Sequence, residues 1–333
     1  MRTFRCIIAG TPSTSVAVAQ AILDSGNFVA GVLCPHPKPV GRKKIVTPSA
    51  LEQWAIEHSI PAFHVNRETL RDETGFRAQL TNKLQDTPDL LISADFGYLI
   101  PAWLLEYPRL IALNIHPSDL PRWRGATPVP FTLLHGEQET KITIIEMSPA
   151  FDTGNILLQL PFSIGMMETA DQVLLNAFAI AGTSIAQLVD QIDHKSAKPI
   201  PQPKESPTPY ARKFTKDDGF VPFTCVQTLF LPNGDQRDDQ TAGVITNDAD
   251  RPPLQVEYQI PTTALSIHNM IRALSPWPGV WTTLPNTNNS RLILQSSRYQ
   301  EKTNTVQLVT GKLEGKTDQS FGKIMQSVHL EQL

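Results

Sequence analysis

The tightest constraint on this chain is a change of rhythm near residue 190. Ahead of it, short β-branched runs alternate with helical periodicity: strands are predicted at 4–9, 28–34, 90–94, 111–115 and 141–147, and helices at 13–24, 48–58 and 171–189. Strands separated by helices pair in parallel, so the pattern predicts an α/β domain whose sheet is covered on both faces. Residues 194–210, HKSAKPIPQPKESPTPY, then place prolines at 199, 201, 203, 207 and 209. Proline fixes φ and removes a backbone donor, so this stretch reads as an extended, stiff interdomain linker. Beyond it, β-rich runs at 221–231, 243–246, 254–260, 292–295 and 305–310, with only 262–274 helical in pattern, predict a small β-domain. The expected division is 1–193, a linker at 194–210, and 211–333.

A length of 333 residues agrees with two domains. The formal charge of -3 provides no general attraction for nucleic acid or an anionic membrane, so any such partner has to meet a local patch. Cys6, Cys34 and Cys225 form an odd set with no CxxC spacing. They are expected to be reduced, buried thiols, neither a disulfide framework nor a metal site. No apolar run approaches the roughly 20 residues of a membrane span, and the opening MRTFRCIIAG reads as a strand entering a turn. A cytoplasmic location is expected. The turn Ala9, Gly10, Thr11, Pro12, Ser13 has one glycine where a dinucleotide fingerprint needs three, and no phosphate-binding GxxxxGK[ST] follows. It reads as a plain strand-to-helix turn.

Chemistry is concentrated in LNIHPSDLPRWRGA, residues 113–126. In a strand, residues i and i+2 share a face, so Asn114 and His116 reach the same space at a carboxyl end, where open α/β sheets bind ligands. An amide can donate to a developing oxyanion, and an imidazole can donate or accept. A histidine at a strand end is more often structural, but the companion Asn and the proline-bounded loop 117–121 favour chemistry. Asp152, in the later stretch FDTGN, is either an ordinary turn residue or the carboxylate that orients and charges this imidazole. Carboxylate, imidazole and amide without a serine or cysteine nucleophile indicate direct transfer to an external nucleophile.

These stretches, LNIHPSDLPRWRGATP and FDTGNILL, resemble those of the formyltransferases that use 10-formyltetrahydrofolate. The resemblance extends to IIAGTP near the start, to Gly41, Arg42, Lys43 and Lys44 followed by Thr47, Pro48 and Ser49, to FGYLIP at 96–101, and to IRALSPWP at 271–278. It is strong over 4–215 and scattered beyond, and it points to the members that act on methionyl initiator tRNA. Such a resemblance implies a Rossmann-like catalytic domain followed by an OB-like β-barrel that binds tRNA. It implies Asn114, His116 and Asp152 as the catalytic centre, with the formyl group moving from N10 of the folate to the α-amine of methionine. It further implies Ser118, Asp119, Leu120 and Pro121 as a wall for the folate, and Phe96, Gly97, Tyr98, Leu99 and Ile100 as lining for its pterin. Arg42, Lys43, Lys44 and Lys213 would hold the tRNA. A monomer without metal and without membrane contact is expected.

The chain also departs from this pattern. Carboxylates stand at Asp95 and Asp119, where relatives carry small and apolar residues, and the basic loop is one residue shorter. Over 207–333 there are 12 Lys+Arg and 12 Asp+Glu; six carboxylates crowd 231–257, while 291–323 has six cations against three acids. Two alternatives stay open at this level: transfer to a small amine such as a purine precursor or an amino sugar, and an RNA-binding protein on the same scaffold without catalysis. Deformylation of the folate by hydrolysis is less favoured, since it would need no second domain.

Overall fold

The computed structural model describes residues 3–41, 43–227, 229, 254–261, 263–285 and 290–328. They form two compact units. The first comprises Met1–Gly125, Thr140–Phe162 and Leu174–Tyr210, the second Ala126–Glu139, Ser163–Val173 and Ala211–Leu333. The proline-rich stretch thus ends where the second unit resumes, and two earlier segments also belong to that unit.

In the first unit the chain runs β1 (Arg5–Gly10), α1 (Ser13–Asp24), β2 (Phe28–Pro35), a hairpin of β3 (Lys38–Val40) and β4 (Ile45–Thr47), and α2 (Ala50–Glu57). Then come β5 (Ala62–Val65), α3 (Arg67–Arg71), α4 (Glu73–Leu84), β6 (Leu90–Ala94), α5 (Ala102–Leu105) and β7 (Ile111–His116). After α6 (Pro128–Leu134), which belongs to the second unit, follow β8 (Glu139–Glu146), β9 (Ile156–Ser163) and α7 (Ala170–Asp193). Seven strands make one sheet in the order β5-β2-β1-β6-β7-β8-β9. The first five are parallel, but β8 pairs antiparallel to β7, so the expected parallel sheet is a mixed one. The reason lies in the connection: the segment joining β7 to β8 belongs to the second unit and supplies no crossover helix on this sheet.

The period of two in β1 is visible in the packing. Cys6 and Ile8 enter a cluster with Val18, Ile22, Leu51, Phe178 and Ile185, whereas Ile7 and Ala9 enter another with Leu33, Phe63, Phe76 and Leu80. Both faces of the sheet are therefore covered. Helix α7 is long and apolar enough by composition to resemble a membrane span, which the sequence reading missed; Ala177, Phe178, Ala181, Ile185, Leu188 and Val189 put that apolar face in the core. At Gly182 a Cβ would lie 2.8 Å from Ala21 Cβ and 3.1 Å from Val18 Cα, so glycine sets how closely α7 approaches α1. Cys6 and Cys34 are buried and reduced; burial, reinforced by Glu52 and opposed by Ser49, pushes the Cys34 thiol up to about 12.

Register fixes the working edge. Gly10 pairs with Ala94, and Ser93 with Asn114, so the carboxyl ends of β1, β6 and β7 lie side by side where the strand order reverses. The turn after β1 is plugged by its own helix: Ser15 Oγ donates to the Ala94 carbonyl at 2.5 Å and accepts from Thr11 N–H at 3.0 Å.

The second unit holds α6, then α8 (Phe223–Gln227), α9 (Leu254–Glu257), α10 (Ala264–Leu274), β10 (Val280–Thr283), β11 (Arg291–Gln300), β12 (Thr305–Leu313), β13 (Gln319–Ser320) and α11 (Phe321–Ser327). Strands β10 to β13 form an antiparallel sheet, containing the expected runs 292–295 and 305–310. Two expected strands are instead helical where described: 221–231 opens with α8 and 254–260 with α9. Pro222 suits a helix's first turn, and short apolar runs take whichever form their packing allows. The run 243–246 and most of the acidic stretch 231–257 lie outside the described residues.

IRALSPWP has a structural meaning here. Arg272, only 3% exposed, donates to the carbonyls of Gly165 at 2.9 Å and Glu168 at 3.3 Å, and His268 bridges Ser297 Oγ and the Met166 carbonyl, each at 2.8 Å. Burial, partly offset by Glu168, pulls the Arg272 guanidinium down to about 10. These contacts tie Ser163–Val173 to α10. Phe131 of α6 packs on Phe214 and Tyr258, with ring centroids 5.1 and 4.4 Å apart. Phe131→Ala is expected to destabilise the second unit by about 3–5 kcal/mol in urea denaturation, and Phe131→Leu by clearly less.

Candidate active site

Leu113 and Ile115 of β7 enter the core, so Asn114 and His116 project from the opposite face. The chain then bends through 117–125, and Trp123 takes a left-handed conformation at φ 56°. From the end of β8 a second turn brings Asp152 to the same place, again left-handed at φ 55°, a region that Asp tolerates better than most residues. Gly154 makes this turn possible, because a Cβ there would sit 1.7 Å from the Glu146 carbonyl oxygen.

Three side chains converge. Asp152 Oδ1 lies 3.5 Å from His116 Nδ1 and 3.5 Å from Asn114 Nδ2, while Oδ2 accepts from Gly125 N–H at 2.9 Å. The second ring nitrogen of His116, Nε2, is 3.0 Å from the Trp123 carbonyl. A carbonyl only accepts, so Nε2 carries a proton, and the imidazolium form donates from both nitrogens. His116 is 3% exposed and both nitrogens face protein acceptors; Asn114 is half-buried and is the more accessible donor.

A second layer fixes this geometry, and the sequence reading did not find it. Gln202, within the proline-rich segment, donates from Nε2 to the carbonyls of Asp152 at 3.0 Å and Gly154 at 2.7 Å. Its Oε1 accepts from Arg124 Nη2 at 2.9 Å, and Arg124 also donates to the carbonyls of Pro203 at 2.8 Å and Lys204 at 3.1 Å. Arg124 thus anchors the loop to this segment. Thr208 Oγ1 takes the Trp123 N–H at 2.7 Å. Tyr210 is exposed, and burial of its phenol, followed by the charge of Asp152, raises its pKa. The one sequence signal for these residues is that polar side chains interrupt the prolines.

The remaining expected site residues are placed as follows. Ser118 is buried and donates to the Arg122 carbonyl at 2.7 Å, Leu120 is buried, and the Pro121 carbonyl accepts from Ser206 at 2.8 Å. Asp119, the unexpected carboxylate, is paired with Lys141 Nζ and Gln159 Nε2, each at 3.1 Å. The polar groups of this loop therefore face β8, β9 and the proline-rich segment. Phe96 and Tyr98 are half-buried with rings 5.5 Å apart, Gly97 and Leu99 are exposed, and Ile100 is in the core. Asp95, which follows β6 one strand over from Asn114, is exposed at its edge, yet the protein around its carboxyl raises its pKa against the opposing hydrogen bond from Thr14 Oγ1 at 3.2 Å. Lys43 and Lys44 are exposed between β3 and β4, Arg42 lies outside the described residues, and Lys213 is exposed in the second unit.

Comparisons with known proteins give the family and the fold. The chain matches the family model "Formyl transferase" over residues 3–189 and "Formyl transferase, C-terminal domain" over 260–329. It is similar to the methionyl-tRNA formyltransferase of Roseobacter denitrificans, with 30% identity over 97% of this chain and 93% of that one. In fold it is similar to the methionyl-tRNA formyltransferase from Clostridium thermocellum, at 16% identity and TM-score 0.52 over 93% of this chain and 99% of that one. It also shares its fold with an N-formyltransferase from Helicobacter canadensis solved with folinic acid and dTDP-3-aminofucose, at 17% identity and TM-score 0.53 over 90% and 88% of the two chains.

Gln202→Ala removes both donors that hold the Asp152 turn. At about 1 kcal/mol for each hydrogen bond, exchange of the backbone amides at 152–155 is expected to accelerate roughly ten- to thirty-fold in hydrogen–deuterium measurements, with the sheet amides unchanged.

Proposed function

This chain belongs to the formyl transferase family, and on that premise we propose that it moves the formyl group of 10-formyltetrahydrofolate to the α-amine of methionine on initiator tRNA. The observation that carries this reading is the meeting of Asn114, His116 and Asp152 without a protein nucleophile, in a chain similar along nearly its whole length to a methionyl-tRNA formyltransferase. A folate-derived formyl donor follows from the family; the 10-formyl form suits the transfer because N10 is an arylamine nitrogen and so a good leaving group.

The neutral amine attacks the formyl carbon, and its π electrons move to oxygen. Asn114 Nδ2 is the donor best placed by its exposure to meet that oxyanion. His116 becomes the second donor when the formyl oxygen replaces one of its two present acceptors. Asp152 takes the proton released by the attacking amine: Gly125 N–H occupies its Oδ2, leaving Oδ1 toward the reacting side. Collapse of the tetrahedral adduct breaks the carbon–N10 bond, and N10 receives the proton that Asp152 took from the amine. Folate would lie along 96–99 and 118–121. Those loops supply apolar surface and backbone groups, because the side-chain polar groups of Ser118 and Asp119 already have partners.

The β3–β4 hairpin supports a polynucleotide acceptor. Beside Lys43 and Lys44 it exposes Val40, Ile45 and Val46, at 59%, 62% and 64%. Cations suit phosphates, and aliphatic groups suit ribose and base faces. Arg42 and Lys213 join them in this reading, in which the protein works as a cytoplasmic monomer without a catalytic metal. Acceptors such as a sugar amine or a purine precursor would leave this hairpin without a task.

The direct assay offers the protein 10-formyltetrahydrofolate with methionyl initiator tRNA or with small amines, and formylation of the small amines alone would overturn the proposal. Asn114→Ala and His116→Ala should each lower kcat/KM by about 10²–10³, as expected for losing one oxyanion donor, with circular dichroism unchanged. Near-normal turnover in either variant would exclude that residue from the centre. Lys43→Ala combined with Lys44→Ala should raise KM for the charged tRNA several-fold and flatten its salt dependence, leaving KM for the folate as it was.

A further inference from the structure

We propose that Cys34, Glu52 and His64 form a divalent-metal site, suited to zinc, at the base of the β3–β4 hairpin. Cys34 and His64 are register partners on the adjacent strands β2 and β5, and Glu52 lies in the first turn of α2. One ligand atom from each lies within 4.8 Å of the others. Glu52 is 5% exposed; one of its oxygens meets His64 Nε2 at 2.6 Å, and the other, Oε2, is buried without a hydrogen-bond partner among the described residues. A buried carboxylate oxygen left unpaired is costly, and a cation is the partner that would satisfy it.

The donor set selects the metal. Magnesium and calcium favour oxygen ligands alone, whereas thiolate, imidazole and carboxylate together suit tetrahedral zinc. Zinc bonds of roughly 2.0–2.3 Å separate tetrahedral ligand atoms by about 3.5 Å, so Glu52 and His64 need to part by about an ångström while Cys34 closes in. His36, exposed and with its ring centroid 5.0 Å from that of His64, can supply the fourth donor. Binding releases the thiol proton to solvent and leaves the imidazole neutral.

A metal here would join the last residues of β2 to the start of α2, the two ends of the segment that carries Lys43 and Lys44. Closing that loop lowers its conformational entropy and holds the hairpin over the sheet edge. The site is distinct from the formyl-transfer centre and does not depend on that function.

Cobalt(II), which takes zinc's place and reports thiolate ligation, tests the proposal on the intact, chelator-stripped protein. One equivalent per chain should give a thiolate-to-cobalt charge-transfer band in the near ultraviolet. Zinc should displace it and raise Tm. Cys34→Ser should abolish the band, His64→Gln should weaken affinity at least ten-fold, and Cys225→Ser should change nothing. His64 lies on a half-exposed strand position, so its variant remains informative even where Cys34→Ser fails to fold. Absence of the band in the unmodified protein, or unchanged cobalt affinity in His64→Gln, overturns the site.

Discussion

The carboxylate of Asp152 is the point on which the rest of the site depends. Its two oxygens bind different segments: Oδ2 holds the backbone of Gly125, and Oδ1 faces the His116 and Asn114 side chains of β7. Such a group cannot be placed by a strand or a helix, whose dihedrals would aim it elsewhere. It needs the left-handed turn at 152, which in turn needs a glycine two residues later, because the chain passes against the Glu146 carbonyl. Gln202 then prevents this turn from relaxing, and Arg124 prevents Gln202 from doing so. Loop, turn and proline-rich segment therefore constrain one another, and proline's stiffness lowers the entropy lost in holding Gln202 there.

Much of this was legible. The first strands and helices, the carboxyl edge of the sheet and the Asn114, His116 and Asp152 combination follow from period, turn chemistry and motif, because each is encoded within a few neighbouring residues. What escaped is encoded at long range. Gln202 reads as one more polar residue among prolines, and its partners lie about fifty residues away in sequence. The direction of β8 depends on where its preceding segment packs, which no local pattern records. The run 254–260 alternates Leu254, Val256, Tyr258 and Ile260 with polar residues, a strand period, yet its first turn is helical because packing decides between the two states. Cys34, Glu52 and His64 share no spacing motif; strand register and one helical turn bring them together.

One departure from the family pattern and one match to it become intelligible. Asp119 looked like a charge added to a folate wall, but Lys141 and Gln159 hold it on the strand side of the loop, so it stiffens the loop instead of charging the pocket. IRALSPWP, the clearest match in the C-terminal region, is explained by Arg272 and His268, which hold the segment Gly165 to Glu168 inside the second unit. Shortening this buried arginine would remove its hydrogen bonds to both carbonyls, which gives the motif a structural reason.

Asp95 remains the departure with chemical weight. It follows β6, one strand over from Asn114, and the protein around its carboxyl raises its pKa. A negative field favours the ammonium form of an amine, and an ammonium cannot attack a carbonyl. The site must therefore remove a proton from the amine it attracts, and it needs an acceptor whose position does not shift as that proton arrives. In the proposed transfer Asp152 is the group suited to this demand, since Gly125 N–H fixes one oxygen and Gln202 fixes its backbone. Asp95, held by a single threonine hydroxyl and with its pKa raised, is the weaker holder of negative charge.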